Sequence, residues 1–221
     1  MRKPIVWALA FVVLGTVLAA CGTPPPLKSV KYLQDNSLLQ QDPKGPRTFH
    51  GITVGQTTFT DAQSILKADT AFSNVQPQDK PPSAAFSTKD GEACCQLSAN
   101  DSGIVNALLV KVTPSITAGD VIKTFGNPQY VNSVDYTDKE VAMALIYPDL
   151  GIVTWVSPGD ATSKLDATSP VVMVLFLDPK DWHSVLDTAT LQGWNGFLPY
   201  STYKNATPVV TPRVTVTPGG Q

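Results

Sequence analysis

Two helix-start signals, each followed by a long stretch of β-type sequence, restrict this chain more than any other feature in it. Ile52-Thr53-Val54-Gly55 returns 64 positions later, from 52 to 116, as Ile116-Thr117-Ala118-Gly119. Self-similarity at a fixed spacing points to a repeated structural unit. After the first copy, Thr58 with Asp61 three residues later has the form of a capping box, and Phe59, Ala62, Ile65 and Leu66 fall at helical spacing. In the second, Thr117 with Asp120 makes the same start, and Val121, Ile122 and Phe125 form one apolar stripe. Gly126 stops that helix and Pro128 prevents its resumption.

Each helix leads into strands. After the first, the spacing predicts strands over Ala84 to Thr88, Ala93 to Ser98 and Ile104 to Val112, with turns at Asp90-Gly91 and Asp101-Ser102-Gly103. After the second, strands are expected over Tyr130 to Val134, Val141 to Tyr147, Ile152 to Ser157 and Val171 to Leu177, with a turn at Pro148-Asp149-Leu150-Gly151. Strands this apolar are expected to bury one face against a helix. The fold class that follows is α+β. It consists of two tandem repeats, residues 48–114 and 115–179, each a helix followed by an antiparallel β-meander, side by side in a two-layer arrangement.

The second unit carries a resemblance. Gly119, the apolar helical stripe, Gly126-Asn127-Pro128 and a strand are similar to a repeat found in two groups. One is the small lipoprotein of the bacterial β-barrel assembly machinery. The other is the β-lactamase inhibitory protein, which has two such units in tandem. The Gly-x-Pro of that repeat falls on Gly126 and Pro128, whereas the first unit keeps Gly55 and has Ala68-Asp69-Thr70 in that place. The resemblance implies a binding or scaffold protein of the cell envelope, without catalytic residues to carry over; the alternative expectation is an inhibitor or ligand-sensing protein that uses the groove between the repeats.

The N-terminus says where such a protein would live. Arg2 and Lys3, an apolar run from Ile5 to Leu18 and the small residues Ala19 and Ala20 have the order of a secretory signal over residues 1–20. The run is shorter than the roughly 20 residues that a membrane-crossing helix needs. Leu18-Ala19-Ala20-Cys21 resembles the lipobox of bacterial lipoproteins, which implies a diacylglycerol on the Cys21 thiol, palmitate-type acylation and cleavage before it. The expected location is the extracytoplasmic face of the cell membrane. Gly22, which is not acidic, is compatible with the outer membrane in a two-membrane bacterium. Residues 21–47, with Pro24-Pro25-Pro26, read as a tether giving clearance from the lipid.

Residues 180–204 hold Trp182, Trp194, Phe197 and Tyr200, with a short helix expected from Lys180 to Asp187. They read as an apolar flap sealing the sheet; the alternative is an exposed aromatic patch for a protein partner. Residues 205–221, rich in Thr and Pro, read as a disordered tail.

Loss of Arg2 and Lys3 with the signal leaves 14 of the 16 basic residues against 18 acidic ones, a net charge near −4. With no basic block, nucleic acid is not an expected partner; the membrane, through Cys21, and an envelope protein are. Catalysis is not expected. There is no Gly-x-Ser-x-Gly, and neither His50 nor His183 adjoins a nucleophile motif. The carboxylate pairs Asp135 with Asp138 and Asp181 with Asp187 read as solvated loop residues. No cofactor or metal site is expected, because neither histidine sits at ligand spacing to the cysteines. Cys94 and Cys95 read as strand neighbours with one thiol inward and one outward. The alternative is a redox-active or intermolecular disulfide, since adjacent Cα atoms sit closer than a relaxed disulfide spans.

Overall fold

Residues 24–182 and 189–211 are described by a computed structural model. The lipobox with Cys21, and with it His183, Asp187 and the end of the Thr/Pro-rich tail, lie outside the described residues.

The chain is α+β: helices pack on a nine-stranded antiparallel sheet. A two-stranded hairpin of β1 (Thr48–Phe49) and β2 (Ile52–Thr53) precedes helix α1 (Phe59–Ala68). Strands β3 (Phe72–Asp79), β4 (Pro82–Thr88), β5 (Ala93–Ala99) and β6 (Val105–Lys111) follow. Helix α2 (Ala118–Phe125) leads into β7 (Tyr130–Asp135), β8 (Val141–Tyr147), β9 (Ile152–Gly159) and β10 (Val171–Leu177). A short β11 (Gln192–Gly193) and helix α3 (Tyr200–Lys204) complete the described elements. The sheet order is β11-β7-β8-β9-β10-β6-β5-β4-β3, so the two sets of strands meet where β6 pairs with β10.

Both long helices start as their sequences dictate. Thr58 accepts a hydrogen bond from the Asp61 N–H, and Thr117 and Asp120 form a full capping box. Each start is also stitched to the sheet. The Phe59 N–H donates to the Gly103 carbonyl and the Ala118 N–H to the Ser169 carbonyl, both at 2.8 Å. Just before each helix, the Thr57 carbonyl accepts from the Val105 N–H at 2.9 Å and the Ile116 carbonyl from the Val171 N–H at 2.8 Å. Gly126 ends α2 at φ +80°, a region that penalises any residue with a Cβ.

The tetrapeptide copies do not occupy matching places. Ile52 and Thr53 form β2, and Gly55 sits in a turn at φ +81° before the helix. Thr117 is instead the helix cap, and Gly119 lies inside α2, where a Cβ would meet the Ala167 carbonyl oxygen at 2.9 Å.

The expectation of one buried sheet face needs correction for β8, β9 and β10. Val141, Met143, Leu145 and Tyr147 face the helix-side core, while Ala142, Ala144 and Ile146 face a second core on the opposite side. Chain ends cover that second face. Leu27 packs there from the N-terminal side, and Trp182, Ala189 and Leu191 from the C-terminal side.

The N-terminal segment is therefore no free tether. Leu27, Tyr32, Leu33 and Leu38 are buried, and Leu33 forms a parallel bridge to Val112 at the end of β6. The segment runs from the second core, where Leu27 sits, to the helix-side core, which holds Leu33 and Leu38. Hydrophobic burial outweighs the extended preference of its prolines.

Residues 205–211, expected as the start of a disordered tail, are also tied down: the Val209 and Val210 N–H groups donate to the Leu191 carbonyl. Strand β3 carries little sequence signal. Its residues are mostly polar, and Pro77 is accommodated because β3 is an edge strand paired with β4 alone.

Candidate functional site

The second face of the sheet is open on its β4-β5-β6 side, where Ala85, Ala93 and Gln96 remain exposed or half-buried. A groove of about 480 Å³ lies where this open part meets the covered part. That volume is within the range of about 300–1,000 Å³ of small-molecule sites. Its wall comes from both sets of strands: Leu109 and Lys111 of β6 on one side, Val172 and Met173 of β10 on the other, with Val134 of β7 nearby. The rim is Pro24-Pro25-Pro26-Leu27.

Two tyrosines hold that rim. The Tyr136 hydroxyl donates to the Pro25 carbonyl at 2.5 Å, across 111 positions of sequence, and the Tyr32 hydroxyl donates to the Pro26 carbonyl at 2.6 Å. Burial, with Tyr136, Glu92 and Glu140 nearby, pushes the Tyr32 hydroxyl up to about 12, so it stays protonated and donating at neutral pH. Asp135 also borders the groove, but its carboxylate is engaged by Lys204 at 2.7 Å and by the Tyr200 hydroxyl at 2.6 Å. The Lys204 and Tyr200 hydrogen bonds hold it below the usual carboxylate range. Asp135 and Asp138 are both exposed, as expected of solvated residues, although Asp135 closes β7 rather than lying in a loop.

Cys94 and Cys95 line the same groove and are joined in a disulfide, which replaces the reading of two separate thiols on opposite faces. The register explains why alternation fails. Phe86 pairs with Cys95 and Ser87 with Ala93, so Cys94 is the extra residue of a β-bulge. A bulge interrupts the two-residue period, so both cysteines are buried among helix-side residues while still bordering the groove on the other face. Adjacent cysteines were the sequence signal; the bulge had none.

The aromatic residues of 180–204 do not make an exposed patch. Trp182 and Tyr200 are buried, 5% and 2% exposed. Trp194 and Phe197 are half-buried and pack edge-to-face at 5.6 Å, with Tyr203 stacked on Trp194. Satisfying the Tyr200 and Tyr203 hydroxyls inside the domain fits a seal better than a docking face. Tyr203 and helix α3 went unrecognised in the sequence because five residues carry too short a period to read.

His50 is the other cluster of chemistry-bearing groups. It sits at φ +48° between β1 and β2, with Nδ1 at 2.6 Å from Asp69 and Nε2 at 2.8 Å from Asp35. The Asp35 hydrogen bond, then that of Asp69, raises its pKa against the opposing effect of burial. Both ring nitrogens face carboxylates, so this arrangement leaves neither free to take a proton from a nucleophile. Its role is a clasp: it fastens the N-terminal segment at Asp35 to the end of α1 at Asp69. Among the described residues no cluster of three or more His, Cys, Asp or Glu is placed to hold a metal.

No family model and no curated protein matches the chain. Among solved structures, a crystal structure of a DUF4309 family protein (YjgB) from Bacillus subtilis overlaps it at 13% identity with a TM-score of 0.36. The overlap covers 64% of this chain and 93% of that one, and is too loose to bear on fold or function.

Proposed function

We propose that the chain is a lipid-anchored, extracytoplasmic binding protein of the bacterial envelope whose groove takes a small apolar ligand. The observation that carries this reading is the groove itself. Strands from both halves line it, and its rim begins at Pro24, three residues after the cysteine of the lipobox. A cysteine at that distance lies within about 10 Å of the rim along an extended chain. The anchor and the groove would therefore share one end of the molecule.

A ligand fits the surface better than a large protein docking on an apolar patch. Among the described residues the exposed large hydrophobic side chains are Val30 and Val209, too few for a large apolar patch. A scaffold role toward an envelope protein remains the second reading, supported by the resemblance noted above.

In this reading the two helix-and-meander units are tandem repeats. Support comes from the caps Thr58 and Thr117, 59 positions apart, and from β4 and β8 as well as β5 and β9, which start at the same separation. The bridges Thr58 to Ile104 and Thr117 to Pro170 add matching contacts between each cap and the residue before the last strand of its unit.

Two measurements test the proposal. Labelled palmitate should be incorporated by the wild type and not by Cys21→Ser, which should leave the membrane fraction or persist as precursor; label on the variant would sink the anchor. A polarity-sensitive dye should bind the wild type and be excluded by Ala85→Trp, which fills the groove from an exposed strand position. Equal dye binding by both would remove the groove as the site.

A further inference from the structure

The groove holds an unbalanced charge. Lys111 projects from the end of β6 into its lining, half-buried, and among the described residues no carboxylate comes within 4.0 Å of its ammonium. The Tyr32 ring lies 5.3 Å from it. Asp135, the carboxylate on the lining, is already engaged by Lys204 and Tyr200. Glu92 acts on Lys111 only from a distance, and burial is the larger influence, lowering its pKa. A sheltered ammonium without a counter-ion is costly, and an anion that enters the groove would offset that cost. The walls around it are apolar: Leu109, Val172, Met173 and Ala85.

We infer that the groove takes a single-chain anionic amphiphile, a long-chain carboxylate of membrane origin, with its hydrocarbon along Leu109, Val172 and Met173 and its head group at Lys111. The assignment rests on the proposed binding function of the groove. Charge complementarity selects the head group, and a rim that begins three residues after the lipobox cysteine would open near the lipid surface if the chain is anchored as proposed. A neutral chain of the same length would fill the walls and leave the ammonium uncompensated.

The test is native mass spectrometry on the full chain carrying Cys21→Ser, which lacks acyl groups of its own, with hexadecanoate and hexadecanol as probes. One hexadecanoate per chain should bind, at least tenfold tighter than the alcohol. Lys111→Met should lose that preference at least tenfold while still binding the neutral dye, which reports an intact groove; Lys111→Arg should restore it. Equal affinity for acid and alcohol, or no effect of Lys111→Met, would overturn the head-group assignment while the dye-binding groove stood. If neither dye nor hexadecanoate binds, the groove reading fails with it. If hexadecanoate binds Cys21→Ser and is refused by the lipidated protein, the occupant is the chain's own acyl group and the free amphiphile is refuted.

Discussion

His50→Asn probes the clasp most directly. Asparagine tolerates the left-handed backbone at φ +48°, so the substitution removes the charge without adding strain. It deletes two charge-assisted hydrogen bonds, at 2.6 and 2.8 Å. Each such bond contributes about 1.5–3 kcal/mol when sheltered. Here the His50 and Asp69 side chains are each 25% exposed and Asp35 is 11% exposed, so solvent screening reduces the gain. About 2–3 kcal/mol for the pair follows, or a fall in Tm of roughly 4–12 °C for a chain of this size.

The loss should depend on pH in a defined direction. The folded pKa of His50 is raised, so its contribution is full below the ordinary value of 6.5 and fades as pH rises through the folded value. At Asp35 burial pushes the carboxyl up, but the His50 hydrogen bond and those of Ser37 outweigh it, leaving a lowered pKa. That contribution is present above the ordinary 3.8 and disappears as pH falls through the folded value. The clasp is therefore strongest between about pH 4 and 6.5. Urea unfolding of wild type and His50→Asn at pH 5.5 and pH 8.5 should give a large difference at the lower pH and a smaller one at the higher. A difference that does not change with pH, or none at pH 5.5, would show that the ring carries no charge there and the reasoning is wrong.

Two further substitutions test the packing. Gly151 sits at φ +63° after the 3₁₀ turn Pro148–Leu150, and a Cβ there would collide with the Leu177 carbonyl oxygen; Gly151→Ala should cost at least about 2 kcal/mol by chemical denaturation, and no loss would refute the close approach of the turn to β10. The Thr154 hydroxyl is fully buried in the middle of β9 with no hydrogen-bond partner among the described residues, so the isosteric Thr154→Val should raise stability by about 1 kcal/mol in the same assay, and a destabilised variant would mean the hydroxyl has a partner after all.

Local order was legible wherever it is written in neighbouring residues. The helix starts at Thr58 and Thr117, the stop at Gly126 and the bounds of Val141–Tyr147 and Val171–Leu177 could all be read from spacing alone. Capping, glycine stops and apolar runs act over a few positions, so the sequence contains the whole cause. Strand β3 escaped because an edge strand needs little apolar burial, and polar residues satisfy it.

Tertiary structure decided what made the candidate site. Nothing near Pro25 announces that Tyr136, 111 positions away, will hold its carbonyl. Nothing near His50 announces that Asp35 and Asp69 will close on both nitrogens. The Pro-rich segment has a local preference for an extended spacer, and it is overruled by the burial of Leu27, Tyr32, Leu33 and Leu38 against faces that exist only once the sheet has formed. Cys94 and Cys95 obey strand alternation until a bulge, imposed by the register with β4, brings both onto one side. Local sequence sets which elements can form. Which surfaces meet, and so where a groove with a sheltered lysine arises, depends on contacts between residues that have no reason to be near each other until the chain has folded.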